Sequence, residues 1–150
     1  MDAEKKRDEL FAEYLKMIDI VQGYDGHFLN IKAWSVTTSS LAFGVVLAES
    51  ADPWLLVVVV MLAISFWMTE VRFKVLQQSH VYRLSTLEDA LSRDEQVRAP
   101  DMINSFTRAS QFNTQRRMWR KIAFWPHVMF PHIVFVIASM ALFALLLVRM

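Results

Sequence analysis

Trp54-Leu55-Leu56-Val57-Val58-Val59-Val60-Met61-Leu62-Ala63-Ile64 decides the fold of this chain. A helix through these residues is hydrophobic on every face, and a small globule cannot bury such a helix all round. Lipid can. The stretch widens to residues 53–73, and residues 28–48 and 123–148 repeat its character. Each is close to the roughly 20 apolar residues needed to cross a bilayer core about 30 Å thick. The expected fold class is all-α: an integral membrane protein with three transmembrane helices, an N-terminal amphipathic helix and a cytoplasmic helical hairpin. The segments are 1–27 (amphipathic helix), 28–48 (first span), 49–52 (external turn), 53–73 (second span), 74–122 (hairpin) and 123–148 (third span).

At 150 residues and 55% hydrophobic content, the chain has the length of one soluble domain, but its apolar residues come in blocks. It has no cysteine, which excludes disulfides, thiolate metal sites, a cysteine nucleophile and S-acylation. The first apolar block starts at Phe28 and follows an acidic amphipathic segment, unlike the short basic leader of a cleaved signal peptide. The N-terminal segment is therefore expected to be retained.

Charge supplies the orientation. Of 16 Lys and Arg, four (Lys5, Lys6, Arg7, Lys16) precede the first span and ten lie between Arg72 and Lys121. Only Lys32 and Arg149 fall elsewhere. The turn Glu49-Ser50-Ala51-Asp52 is acidic and free of Lys and Arg, so the positive-inside rule puts it outside. The N-terminus is then cytoplasmic and the C-terminus outside. Trp34, Trp54, Trp67 and Trp125 stand near span ends, as amphipathic rings in a headgroup belt do.

Between residues 2 and 23, Leu10, Phe11, Tyr14, Ile18 and Val21 recur at helical spacing and call for a partner, either the headgroups or a second cytoplasmic helix. Gly23 and Gly26 around Tyr24-Asp25 predict a bend before the first span, with a continuous helix as the alternative. After the second span the helical pattern continues through Phe73, Leu76, His80, Leu84, Leu87 and Leu91, so that helix should project into the cytoplasm. Pro100-Asp101 then restarts a helix carrying Met102, Ile103, Phe106, Ala109 and Phe112 on one side. Arg116, Arg117, Trp119, Arg120 and Lys121 alternate cationic and aromatic groups next to the third span, as a segment lying on anionic lipid headgroups does. Position beside a span favours lipid over nucleic acid as the partner.

Polar residues inside the spans are the candidate site. Ser40, Gly44 and Ala48 form a small-xxx-small ridge suited to helix packing. Ser35, Thr37, Thr38, Ser39 and Ser40 form a hydroxyl cluster that either bonds its own backbone or lines a hydrated path in an oligomer, since three helices cannot surround a pore. Lys32 in the first span and Glu70 in the second reach similar depth near the inner face, a candidate ion pair, although Lys32 could also snorkel. His127 and His132 flank Pro131, which removes a backbone donor and should kink or widen the third span. His132 should face Lys32, Glu70, Ser35 or a neighbouring protomer, because an intramembrane histidine facing lipid is unfavourable. Lys32, Ser35, Thr38, Glu70, His127 and His132 thus form the expected polar cluster, and the two histidines suggest a pH-responsive inner gate.

His27, Glu70, His127 and His132 match no zinc-binding spacing, so neither metal nor cofactor is expected. The string Arg120-x6-His127 is similar to the loose motif of HEPN ribonucleases, but it runs into a span and has Lys121 where a small polar residue is usual, which argues against a nuclease.

Lys32-Ala33-Trp34-Ser35-Val36-Thr37, with Phe66-Trp67-Met68-Thr69-Glu70 after a short acidic turn, resembles a family of small, largely uncharacterised bacterial multi-span membrane proteins. Pro131-His132 looks like a further shared feature. The arrangement is also broadly similar to SLATT membrane effectors of bacterial defence systems. The resemblance implies a bacterial inner-membrane setting and brings no defined activity. The expected function is a homo-oligomeric ion-conducting pore or membrane effector. The alternative is a non-conducting scaffold or anchor that recruits a cytoplasmic protein. No nucleophile, base and orienting group are arranged for catalysis, so an enzyme is not expected.

Overall fold

The computed structural model describes residues 2–48, 52, 54–93, 107, 111 and 118–149. The order of helices is α1 (Asp2–Ala48), α2 (Leu55–Arg93), α3 (Met118–Ala123), α4 (Pro126–Met129) and α5 (His132–Arg149), with no strand among the described residues. Two of them, α1 and α2, are long and apolar enough to cross a membrane. The contacts divide the chain into two compact units, residues 1–27 with 73–119 and residues 28–72 with 120–150.

α1 has 47 residues, about 70 Å at 1.5 Å per residue, and it does not bend at Gly23 and Gly26. Both glycines lie on exposed helix with no positive φ. Each costs a helix up to about 1 kcal/mol relative to alanine. Contacts around Gly23 hold the helix through this point: Gln77 Nε2 donates to the Val21 carbonyl at 3.0 Å and to Asp25 Oδ1 at 3.1 Å. The Tyr24 ring lies 6.4 Å from Phe73 and 5.7 Å from His80.

In the first unit the N-terminal part of α1 packs on the distal part of α2. Leu10, Met17 and Leu87 form its core, with Tyr14, Ile20, Leu84 and Leu91 around them. The partner of the amphipathic segment is therefore α2. Most of the expected faces pack here, with Leu10, Tyr14, Leu84, Leu87 and Leu91 in or around the core, but Phe11 and Leu76 are exposed, whereas Glu13, Gln77 and Arg83 are buried. Arg83 Nε donates to Glu13 Oε1 at 2.9 Å and its Nη2 to Oε2 at 3.0 Å. This two-pronged ion pair stands in for apolar residues at seam positions of both helices. The second arm of the expected hairpin lies outside the described residues apart from Thr107 and Gln111, both helical, and so do residues 49–51 of the expected turn.

α2 begins behind Asp52, whose carbonyl accepts from Leu55 N–H and whose Oδ1 accepts from Trp54 N–H, each at 3.0 Å. It then runs 39 residues without interruption, so the apolar stretch and its charged continuation are one helix. The expected single helix over 123–148 is instead broken twice. Trp125 and Phe130 both precede proline and both are extended, with ψ of 131° and 132°. A proline ring after a trans bond clashes with helical backbone in the residue before it, which accounts for the break before Pro126, while the Phe130–Pro131 peptide is cis. The continuous apolar helix that remains is His132–Val148. His132 thereby becomes the first residue of α5.

Candidate functional site

In the second unit α1, α2 and α5 each bury one stripe. On α1 the buried stripe is Phe28, Ser35, Ser39 and Val46, with half-buried Lys32 one turn before Ser35. On α2 it is Leu56, Val59, Ala63 and Glu70, and on α5 it is His132 and Ser139. Steps of three, four and seven keep each set on one helix face. The faces meet with α1 antiparallel to α2 and parallel to α5. Phe43 packs at 6.2 Å from Phe135, Trp54 at 5.6 Å from Phe143, and Trp67 Nε1 donates to the Ala123 carbonyl at 3.0 Å. Ser40 is one residue from Ser39, a rotation of about 100°. Ser40, Gly44 and Ala48 are all exposed, and a Cβ added at Gly44 would meet nothing within 4 Å among the described residues.

Three of the polar residues on these stripes bear charge or can acquire it, and they join end to end. Lys32 Nζ lies 2.8 Å from Glu70 Oε1, and His132 Nε2 lies 3.0 Å from Glu70 Oε2. His132 Nδ1 is 2.9 Å from Ser35 Oγ. Glu70 is 1% exposed and His132 fully buried, while Lys32 retains 26%. Lys32 is thus the end of the chain that touches the surroundings. A carboxylate accepts and never donates, so Nε2 must carry the proton directed at Glu70. With a neutral ring, Nδ1 then accepts from the Ser35 hydroxyl. With an imidazolium, Nδ1 donates and Ser35 accepts. The geometry satisfies His132 in either state.

Of the six residues of the expected cluster, Lys32, Ser35, Glu70 and His132 meet. Thr38 does not join them: its Oγ1 donates to the Trp34 carbonyl one turn back at 2.7 Å. Ser65 and Thr69 on α2 bond back in the same way, at 2.8 and 2.9 Å. His127 is exposed and lies against Trp125 at 5.4 Å. Arg116 and Arg117 of the basic segment lie outside the described residues, whereas Trp119, Arg120 and Lys121 are exposed on α3.

Ser139 escaped the sequence reading, and Ser39 entered it only as one of a run of hydroxyls. The Oγ of each is fully buried and has no hydrogen-bond partner among the described residues. Their spacing was the available signal: Ser39 is four residues after Ser35, and Ser139 seven after His132. Among the described residues, no three His, Asp or Glu side chains converge as a metal ion would require. Compared with family models, curated proteins and solved structures, the chain matches none.

Proposed function

We propose that this chain is a three-span integral membrane protein of the bacterial inner membrane, N-terminus cytoplasmic and C-terminus outside, whose homo-oligomer forms or gates an ion-conducting path. The observation that carries this reading is the Lys32–Glu70–His132 chain inside a bundle with an apolar exterior. Ionisable residues within a membrane are costly and mark ion or proton pathways, gates and sensors. A membrane setting accounts for the surface. Only 17% of the most apolar window of α1 and 28% of that of α2 is buried, whereas the core helix of a soluble protein would be mostly covered. Leu29, Trp34, Leu41, Met61, Phe124 and Ile137 point outward instead.

The inner level at which Lys32 and Glu70 meet is the proposed gate, and the exposed Ser40, Gly44 and Ala48 ridge is the proposed contact between protomers. No catalytic residue or cofactor belongs to this reading. It predicts that the purified protein is a closed oligomer in detergent and passes ions across reconstituted liposomes. A monomer that inserts without flux would refute it.

A second reading is favoured by a specific surface in the first unit. A groove of about 410 Å³ runs between Arg7, Phe11, Tyr14, Glu88 and Leu91, with Phe11 half exposed. Such a surface would suit a scaffold that anchors a cytoplasmic protein. An inserted protein without flux would favour this scaffold.

A further inference from the structure

We propose that the second unit carries protons within each protomer, with Glu70, His132 and Ser35 as the relay and Ser39 and Ser139 as the continuation of the path. The proposal rests on the membrane reading above, names the proton as the ion, and moves the path from an oligomer axis to the interior of one bundle.

The chain of bonds already has the connectivity of a relay. Starting with a neutral His132, a proton reaching Ser35 Oγ displaces the hydroxyl proton onto Nδ1 and makes an imidazolium. The Nε2 proton then passes to Glu70 Oε2 across 3.0 Å. This leaves a neutral ring carrying its proton on Nδ1 and a neutral carboxylic acid. Glu70 releases that proton on the Lys32 side, where the 26% exposure of Lys32 gives the chain its opening. The first tautomer returns when the Nδ1 proton is passed to Nε2 by way of water, since rotation of the ring does not exchange its two nitrogens. One proton enters, one leaves, and no other bond changes. Protonating Glu70 also removes half of its ion pair with Lys32, which frees Lys32 to extend outward while the proton departs.

Among the described residues, His132 bonds to Ser35 on α1 and Glu70 on α2, and Lys32 on α1 reaches the other oxygen of Glu70. The buried residues of α3 and α4 are Ile122, Ala123 and Val128, all apolar. The proton therefore has a polar route through Ser35, His132 and Glu70.

Beyond Ser35 the direction is marked by the two hydroxyls without protein partners. Ser39 lies one turn farther along the same face, about 5–6 Å between Cβ atoms, which one water spans and a direct bond does not. Buried hydroxyls in folded proteins are almost always satisfied, by water where protein offers nothing. Ser139 sits two turns beyond His132 on α5 and borders a half-open groove of about 200 Å³ with Leu56, Val60 and Phe143. That groove is at the start of α2, the opposite end of the apolar helices from Glu70. The polar groups thus step from one end of the bundle towards the other.

The test uses the full chain reconstituted into liposomes that enclose a pH-sensitive dye, with potassium and valinomycin to compensate charge. Flotation with the vesicles is checked first, since failure to float would overturn the membrane reading itself, and this proposal with it. Inserted wild-type protein should dissipate a pH gradient faster than protein-free vesicles, more slowly in D2O, and without matching potassium flux when valinomycin is omitted. Glu70→Gln and His132→Asn should each reduce proton flux about a hundredfold, the low end of what a positioned proton-transfer group contributes. Glu70→Asp should restore part of it. Ser39→Ala, which disturbs no observed bond, should slow flux while leaving helicity and elution volume unchanged. Inserted wild-type protein with no proton flux above background would overturn the relay and leave the membrane reading standing. So would Glu70→Gln at wild-type rate, or potassium passing as fast as protons.

Discussion

Glu13 and Arg83 show what one polar pair does to a seam of apolar residues. Both are buried, and the guanidinium meets both carboxylate oxygens. Glu13→Ala takes both of these bonds from a buried guanidinium and should destabilise the first unit by about 3 kcal/mol. Replacing both, Glu13→Leu with Arg83→Met, should be about neutral or stabilising, because no charge is then left to desolvate. Thermal unfolding followed by circular dichroism in detergent distinguishes the two, and equal losses would contradict this account. His80, packed against Tyr24, is a second testable residue. Burial lowers its pKa below the ordinary 6.5, so the folded state holds it neutral while the unfolded chain still binds a proton. Stability from His80 is therefore full above the unfolded value and lost as pH falls through it towards the depressed folded value. The melting temperature should drop on acidification below about pH 6.5, and His80→Leu should flatten that part of the profile. An unchanged profile would show that another group sets the acid limb.

Among elements, α1 departs most from local expectation. Two glycines three residues apart read as a bend, yet Gln77, Phe73 and His80 grip the turns around them and the helix continues. Neither glycine is there to admit a close neighbour: a Cβ at either position would meet nothing within 4 Å. Gly23→Ala and Gly26→Ala should each stabilise the chain by about 0.5–1 kcal/mol, since alanine restricts the unfolded chain without strain in the folded one. Higher melting temperatures would register this. A loss of activity alongside would show that α1 must flex at this point. The breaks before Pro126 and Pro131 belong to the same scale and were half legible: the prolines announced a disturbance, and Glu70 and Ser35 were among the expected partners of His132, but nothing announced that His132 would start a fresh helix.

For the whole molecule, the few buried polar groups and the apolar exterior of the second unit lead to a topology experiment. In a chain without cysteine, single replacements report their own side of a membrane. Ser92→Cys, exposed near the end of α2, should react with a membrane-impermeant thiol reagent only from the cytoplasmic side. Val148→Cys, exposed near the end of α5, should react only from outside. Both reacting from the same side would remove the N-in, C-out orientation.

The amino-acid sequence by itself determined the helical character of the chain, the length and greasiness of its helices, and which few polar residues sit among apolar ones. These properties depend on residue type and on a helical repeat of 3.6 residues, both local. It also brought Lys32 and Glu70 to similar depth, because depth follows from counting along each helix. Only the tertiary structure decided that His132 and not His127 completes the chain, that Thr38 bonds its own backbone, and that Ser39 and Ser139 are enclosed. Those outcomes depend on how far each helix is rotated about its axis, a quantity set by side-chain packing between segments 62 and 97 residues apart in sequence. The charged pair Glu13 and Arg83, 70 residues apart, was hidden for the same reason.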